Sequence, residues 1–297
     1  MTEDATSDEP KPAPDPLRRR VTLAFVMVQV GVLLSLLWKV GFFRDMDLVY
    51  QQILLEDPFF PAWLRDAAVL RWAYLLVVCA IVVSIAIAQS TIRTLACLIA
   101  SVGLLVILVH QGSYNDMTFA TSFWCSLWSV WFATRIERDQ PALLLRKAAL
   151  LARVIGSLML LGGAVGKWTA EYWDGRVLYD IYFVDRDFWV FNRLREQFDG
   201  QSLRGIATWY SRSVVVLETC CGLGMWLLPA RSAASVGVLV FFSIAFFSNV
   251  YLFSVLWCLI LLSAVGWLTP IGRLVPKEQN RPGMAAGAAL GDDVEND

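Results

Sequence analysis

An uncharged run of 41 residues, 232–272, is the sequence feature that most constrains the fold. As a single helix this run would be about 60 Å long, whereas the hydrocarbon core of a bilayer is only about 30 Å thick. The run therefore predicts two membrane-spanning helices in succession. The polar pair Ser248 and Asn249 is the predicted hairpin between them, and Pro270 is predicted to end the second helix.

Three more runs without Asp, Glu, Lys or Arg approach the ~20 residues that one span requires, at 72–92, 94–115 and 117–134. Hydrophobic residues make up 57% of the chain and charged residues 17%, against about 45–50% and about 25% in soluble domains. We therefore predict an all-α fold, a polytopic integral membrane helix bundle of about eight transmembrane helices. The predicted spans are about residues 21–43, 67–89, 94–111, 117–134, 148–168, 206–228, 232–249 and 251–269.

The segments between the spans predict the orientation. Residues 1–17 and 275–297 have little to bury and are predicted to be disordered tails. Lys and Arg are concentrated on the side of the N-terminus, beginning with three arginines at 18–20. By the positive-inside rule, both termini are predicted to be cytoplasmic. The predicted location is a bacterial inner (cytoplasmic) membrane, and residues 169–205 are the predicted outer loop.

Several classes of function are disfavoured by composition. The formal net charge is −1, so no basic field predicts a nucleic-acid partner. Six cysteines lie in apolar stretches without a C-x-x-C pair, and the chain has one histidine, so no metal site is predicted. The predicted partners are the lipid bilayer, a lipophilic small molecule and a membrane partner protein.

Polar side chains within or next to the spans are the candidate functional residues, because burying a charge in a bilayer is costly. Lys167 ends the fifth predicted span, where it is either functional or a lysine that reaches the interface. His110 ends the third predicted span on the same predicted outer side. Glu218 falls in the middle of the sixth, so we predict that it is neutral or paired. Its candidate partners are Arg212, Lys39 and Lys167.

The stretch GAVGKWTAEYWDGRVLYDIY, residues 163–182, resembles a motif of the transmembrane domain of the vitamin K-dependent gamma-carboxylase and of its bacterial relatives, the HTTM-domain proteins. In that family a lysine at the end of a small-residue helix precedes a Trp and an acidic-Gly pair. Lys167, Trp173, Asp174 and Gly175 occupy those places. The segments LVHQGSYNDMTFATSFW and VLETCCGLGMWLLPARSAA resemble two more family segments, in the same order, so that the resemblance covers about residues 20–272.

The resemblance implies a reaction and its residues. Lys167 would be a catalytic base that deprotonates a reduced quinone, the candidate cofactor, with His110 as a supporting hydrogen-bonding group. Burial favours the neutral amine that a base requires. The carboxylase also has a large lumenal domain that this sequence does not show, so carboxylation of a peptide is not expected. The residues implied to contact the substrate are Trp173, Gly175, Tyr114 and Glu218.

Two other functions stay open. A transporter would need discontinuous helices and a polar site at the middle of the membrane, and Glu218 is the one strong candidate for such a site. A non-catalytic membrane subunit would serve a neighbouring protein, and a small helical bundle suits that role.

Overall fold

The structure is a computed structural model and describes residues 15–46, 48, 59–114, 116–185, 189–247 and 253–271. Within these residues the regular elements are all helical, which confirms the predicted all-α bundle. In the part of the chain that the structure describes, eight helices have 12 residues or more, and each overlaps one of the predicted spans. They are α1 (Pro16–Trp38), α3 (Ala67–Ala86), α4 (Ser90–Val109), α5 (Met117–Arg135), α6 (Pro141–Lys167), α10 (Gly200–Leu227), α11 (Ala230–Phe247) and α12 (Phe253–Ala264).

The chain is a membrane-embedded bundle. Helices α1, α3, α4 and α6 are each long and apolar enough to cross a membrane, and α11 and α12 are shorter apolar helices. Helix α5 carries Ser and Thr side chains that are buried inside the bundle, and α10 carries the buried polar residues Ser211 and Glu218.

Several helices begin earlier than hydropathy predicts. Asp15 caps α1 by accepting a hydrogen bond from the Leu17 amide, so the helix includes the last two residues of the predicted 1–17 tail. Helix α6 begins at Pro141 rather than near 148, and α10 begins at Gly200 rather than near 206. Hydropathy detects only the apolar part of a helix. Residues 1–14 and 275–297 and the predicted hairpin at Ser248 and Asn249 lie outside the described residues.

Hydrogen bonds between helices show that neighbours run antiparallel. The Trp128 indole of α5 donates to the Ala148 carbonyl of α6 at 3.2 Å, so the end of α5 lies beside the start of α6. Arg153 of α6 donates to the Leu228 carbonyl just after α10 at 2.7 Å. The start of α5 and the end of α6 therefore share one end of the bundle, which we call the Lys167 end.

The predicted outer loop at 169–205 is largely helical. It contains α7 (Ala170–Trp173), α8 (Arg176–Tyr179), a short π-helical segment (Asp180–Asp185) and α9 (Trp189–Gln197). These elements, residues 170–197, are called the helical cap below. Their apolar side chains form a small core with the first turns of α10. Its buried members are Leu178, Tyr182, Phe183, Phe191, Leu203 and Ala207.

Candidate functional site

Lys167 and Glu218 form an ion pair between α6 and α10. The Lys167 ammonium lies 2.5 Å from Oε1 and 2.6 Å from Oε2 of Glu218. The lysine side chain is 27% exposed and the glutamate side chain only 9%. The prediction that Glu218 is paired is therefore confirmed, and Lys167 is its partner among the three candidates.

Gly163 lies beside this pair on α6. A lysine side chain on a helix runs back towards the N-terminus, over the residue one turn earlier. A Cβ atom on Gly163 would lie 3.5 Å from Glu218 Oε2 and 3.8 Å from Lys167 Nζ. The Ser157 hydroxyl donates to the Gly222 carbonyl at 2.7 Å and fixes the same two helices below the pair. A side chain at position 163 would therefore be in van der Waals contact with both charged groups.

The helical cap lies over the pair and is bound to α10. The Ser211 hydroxyl donates to the Tyr172 carbonyl, and the Arg212 guanidinium donates to the Trp173 carbonyl at 3.2 Å. The Tyr172 ring lies 6.0 Å from the Lys167 ammonium. Burial raises the pKa of the Tyr172 hydroxyl, and the negative charge of Glu218 raises it further. Tyr172 therefore keeps its proton beside the ion pair at neutral pH.

Trp173 and Gly175, both predicted to contact substrate, join the cap to the bundle. Trp173 stacks on Trp168 with ring centroids 5.1 Å apart. Gly175 has φ +80°, and a Cβ atom there would lie 2.5 Å from the backbone of Thr208. The Thr208 hydroxyl donates to the Asp174 carbonyl at 2.8 Å. The close contact and the left-handed backbone both require glycine, which gives this motif residue a structural reason.

His110 and Tyr114 belong to a different cluster. His110 is fully buried, and its Nδ1 accepts from the Gly112 amide at 3.1 Å. Its Nε2 therefore carries the proton and donates to the Asp66 carbonyl at 3.0 Å. Tyr114 is half exposed and contacts the Phe60 ring. These bonds tie the loop after α4 to the start of α3, so the structure gives His110 backbone partners, distinct from those of Lys167.

A second ion pair joins Lys39 and Asp116. The two charged groups lie 2.7 Å apart, with side chains 25% and 26% exposed. Asp116 also caps α5 by accepting from the Thr118 amide at 2.8 Å. Lys39 was one predicted candidate partner of Glu218, and its pairing with Asp116 was not predicted. The signal that was present is the Asp before the first residue of α5, a common helix cap.

An apolar groove of about 480 Å³ lies between α5 and α6. Among the described residues, no group of three or more His, Cys, Asp and Glu side chains is arranged to hold a metal ion. Met159 lines the groove, and Gly163 and Lys167 follow it at four-residue spacing on the same row of α6. The aromatic part of the lining comes from Trp124, Trp128 and Trp131.

No family model matches the chain, and searches of curated proteins and of solved structures found no match. The resemblance to the HTTM-domain proteins therefore rests on the three sequence segments alone.

Proposed function

We propose that the protein binds a lipophilic molecule with an acidic hydroxyl group, such as a reduced quinone, and removes its proton at the Lys167–Glu218 pair. The observation that carries this proposal is the ion pair itself, in which one ammonium contacts both oxygens of a carboxylate between two apolar helices. Titratable groups that are buried and paired in this way recur at functional sites.

The pair supports a proton transfer in two steps. When the ammonium proton moves to Glu218, Lys167 becomes a neutral amine and the carboxylate becomes a carboxylic acid. The amine then takes the hydroxyl proton of the substrate, and the new ammonium stabilises the oxyanion that forms. Glu218 is thus the proposed proton holder, in the supporting position that the resemblance gave to His110.

The groove between α5 and α6 supports a lipophilic substrate. Met159 in the groove is eight residues before Lys167, about 12 Å along the helix axis. An apolar tail in the groove would therefore place a polar head group near the ion pair. Tyr172 and Trp173 of the helical cap are the proposed neighbours of that head group, since the Tyr172 ring lies 6.0 Å from the Lys167 ammonium and Trp173 stacks on Trp168, the residue after Lys167.

We also propose that the chain lies in a bacterial inner membrane with both termini in the cytoplasm, so that the Lys167 end faces outwards. The distribution of Lys and Arg supports this orientation. Reporter fusions at residues 190 and 290 are expected to report opposite sides of the membrane. Fusions that report the same side would contradict the topology.

Lys167→Arg is the sharpest test of the base. Arginine keeps the positive charge and the ion pair, but its guanidinium does not lose its proton in proteins. With reduced quinone as substrate, deprotonation is expected to fall about 10²–10⁴-fold while membrane insertion stays normal. Lys39→Arg, at the second ion pair, is the matched control and is expected to keep full activity. Lipid extracts of purified wild-type protein are expected to contain a quinone.

A non-catalytic membrane subunit is the second candidate. The bonds of Ser211, Arg212 and Thr208 to the cap favour it, because the ion pair would then complete a structural joint between α6, α10 and the cap. A fully active Lys167→Arg variant, or lipid extracts without quinone, would favour this reading over the base.

A further inference from the structure

A second cavity lies between the helical cap and the first turns of α10. It has a volume of about 440 Å³, within the range of small-molecule sites. The cap contributes one wall and the first turns of α10 contribute the other. The lining residues are Asp174, Gly175, Arg176, Tyr179, Asp180 and Arg204.

Among the described residues, the charged groups that line this cavity are balanced and form no ion pair. It has two guanidinium groups, from Arg176 and Arg204, and two carboxylates, from Asp174 and Asp180. None of the ion pairs found among the described residues includes any of the four. The Arg204 guanidinium lies 5.5 Å from the centroid of the Tyr179 ring, which holds it over the cavity. The cavity therefore offers two separate charges of each sign to a ligand.

The cavity lies next to the expected head-group layer of the membrane. Trp168 and Trp209 are both exposed, and exposed tryptophans of membrane helices collect at the interface. Arg204 precedes Trp209 by five residues on α10, about 7.5 Å along the helix axis. We therefore expect the cavity to lie near the layer of lipid head groups, just beyond the aromatic residues.

We propose that this cavity binds a phosphoethanolamine group, with the phosphate on Arg176 and Arg204 and the primary ammonium on Asp174 and Asp180. Guanidinium groups bind phosphate through charge-assisted hydrogen bonds, and the two carboxylates accept the N–H groups of an ammonium. Phosphocholine has no N–H group, and its recognition needs an aromatic cage, whereas among the described residues Tyr179 is the one aromatic residue of the lining. An anionic head group would leave the carboxylates without a cation. This site does not depend on the function proposed for Lys167.

The test uses the purified full-length chain in detergent. Short-chain phosphatidylethanolamine, phosphatidylcholine and phosphatidylglycerol are titrated separately, and binding is followed by tryptophan fluorescence. Free phosphoethanolamine is titrated in the same way. Phosphatidylethanolamine is expected to bind at least about tenfold more tightly than the other two lipids, which corresponds to one strong polar contact. Binding of free phosphoethanolamine with equal affinity would support a soluble ligand, and binding of the lipid alone would support a lipid head group.

Three variants separate the two halves of the site. The double variant Arg176→Gln with Arg204→Gln is expected to weaken binding of phosphatidylethanolamine at least about tenfold. Asp180→Asn is expected to reduce its preference over phosphatidylcholine. Arg193→Gln is the control, since Arg193 pairs with Glu196 on α9 outside the cavity. Unfolding temperatures without ligand show whether each variant is folded. Equal affinities for the three lipids, or unchanged binding by the double arginine variant, would overturn the proposal.

Discussion

Helices α5 and α10 use carboxylates in opposite ways. In α5 one residue does two tasks, because Asp116 caps the helix and also binds Lys39. In α10 the tasks are divided: Asp199 caps the helix, and Glu218 binds Lys167 about two and a half turns before the last residue of the helix. A carboxylate that must cap a helix stays at its end, where water reaches it. Freed from capping, Glu218 lies deeper, and its side chain is 9% exposed against 26% for Asp116.

This difference separates two lysines that look alike in sequence. Both follow an apolar helix and precede aromatic residues, and either one fits an interfacial anchor. Lys39 reaches one oxygen of a carboxylate that is already bound, whereas Lys167 reaches both oxygens of a carboxylate with no other task. The chemistry of each lysine is thus set by its partner, which is why Lys167 is the better candidate for proton transfer.

The largest expected effect comes from removing the deep carboxylate. Glu218→Leu leaves the Lys167 ammonium without its partner, and breaking a buried pair from one side costs on the order of 3 kcal/mol. Glu218→Gln keeps the shape and one acceptor, so its cost is expected to be about 1 kcal/mol. Thermal unfolding in detergent measures both. Asp116→Asn is the shallow control and is expected to cost less than either.

If Glu218→Leu and Glu218→Gln both left the unfolding temperature almost unchanged, the Lys167–Glu218 pair would stabilise the protein no more than the Lys39–Asp116 pair. The comparison between α5 and α10 would then fail on stability, and exposure alone would distinguish them.

Hydropathy could predict the fold because a chain in lipid must satisfy its backbone hydrogen bonds internally, which leaves helices as the simple solution. The helix ends were less predictable, since α6 and α10 extend beyond their apolar parts. The helical cap was read as a loop because its mixed charges hide apolar residues such as Tyr182 and Phe191, which form its small core.

The candidate site was only partly predictable. The free-energy cost of a charge in the bilayer indicated that Glu218 needs a partner. Lys167, however, lies 51 residues away in the chain, and no local sequence pattern selects it over Lys39. His110 looked like a companion of Lys167 because both end spans on the same predicted side. Its two ring nitrogens bind backbone groups instead, and only the three-dimensional contacts show this.

The next largest loss of stability is expected from a substitution at the contact between the helical cap and α10. Gly175→Ala places a Cβ atom 2.5 Å from the Thr208 backbone at φ +80°, and such strain costs about 1–3 kcal/mol. Gly41→Ala, in the short helix α2 (Val40–Arg44) beside Lys39, is the control, because a Cβ atom there meets nothing within 4 Å. We expect a lower unfolding temperature and faster proteolysis of the cap for Gly175→Ala alone. Matching behaviour of the two variants would show that the cap is not held by this contact.

A smaller effect is expected from the shallow pair. In a double-mutant cycle with Lys39→Met and Asp116→Asn, asparagine keeps the helix cap, so the cycle isolates the ion pair. Exposed pairs contribute about 0–1 kcal/mol, and we expect a coupling energy in that range from unfolding in detergent. The same cycle with Lys167→Met and Glu218→Gln is expected to give a larger value. A coupling at Lys39 equal to that at Lys167 would contradict the proposed difference in depth.

The smallest effect concerns the capping task of α10 on its own. The side-chain hydrogen bond from Ser202 lowers the pKa of Asp199 below its usual 3.8, and the Ser202 amide adds to this. A carboxylate with a lower pKa in the folded state adds stability above its unfolded pKa, and that stability is lost as pH falls through the folded pKa. Asp199→Asn keeps the cap without the charge, so its unfolding temperature should fall below that of the wild type at neutral pH and meet it below about pH 3.8. In a Ser202→Ala background, the difference in unfolding temperature at neutral pH between proteins with and without the Asp199→Asn change should be smaller. The Ser202 hydroxyl, the largest cause of the lowered pKa of Asp199, is then absent. If the difference in unfolding temperature between the wild type and Asp199→Asn stayed the same at acidic pH, Asp199 would act through its shape rather than its charge. Glu218 would then be the carboxylate of α10 whose charge matters.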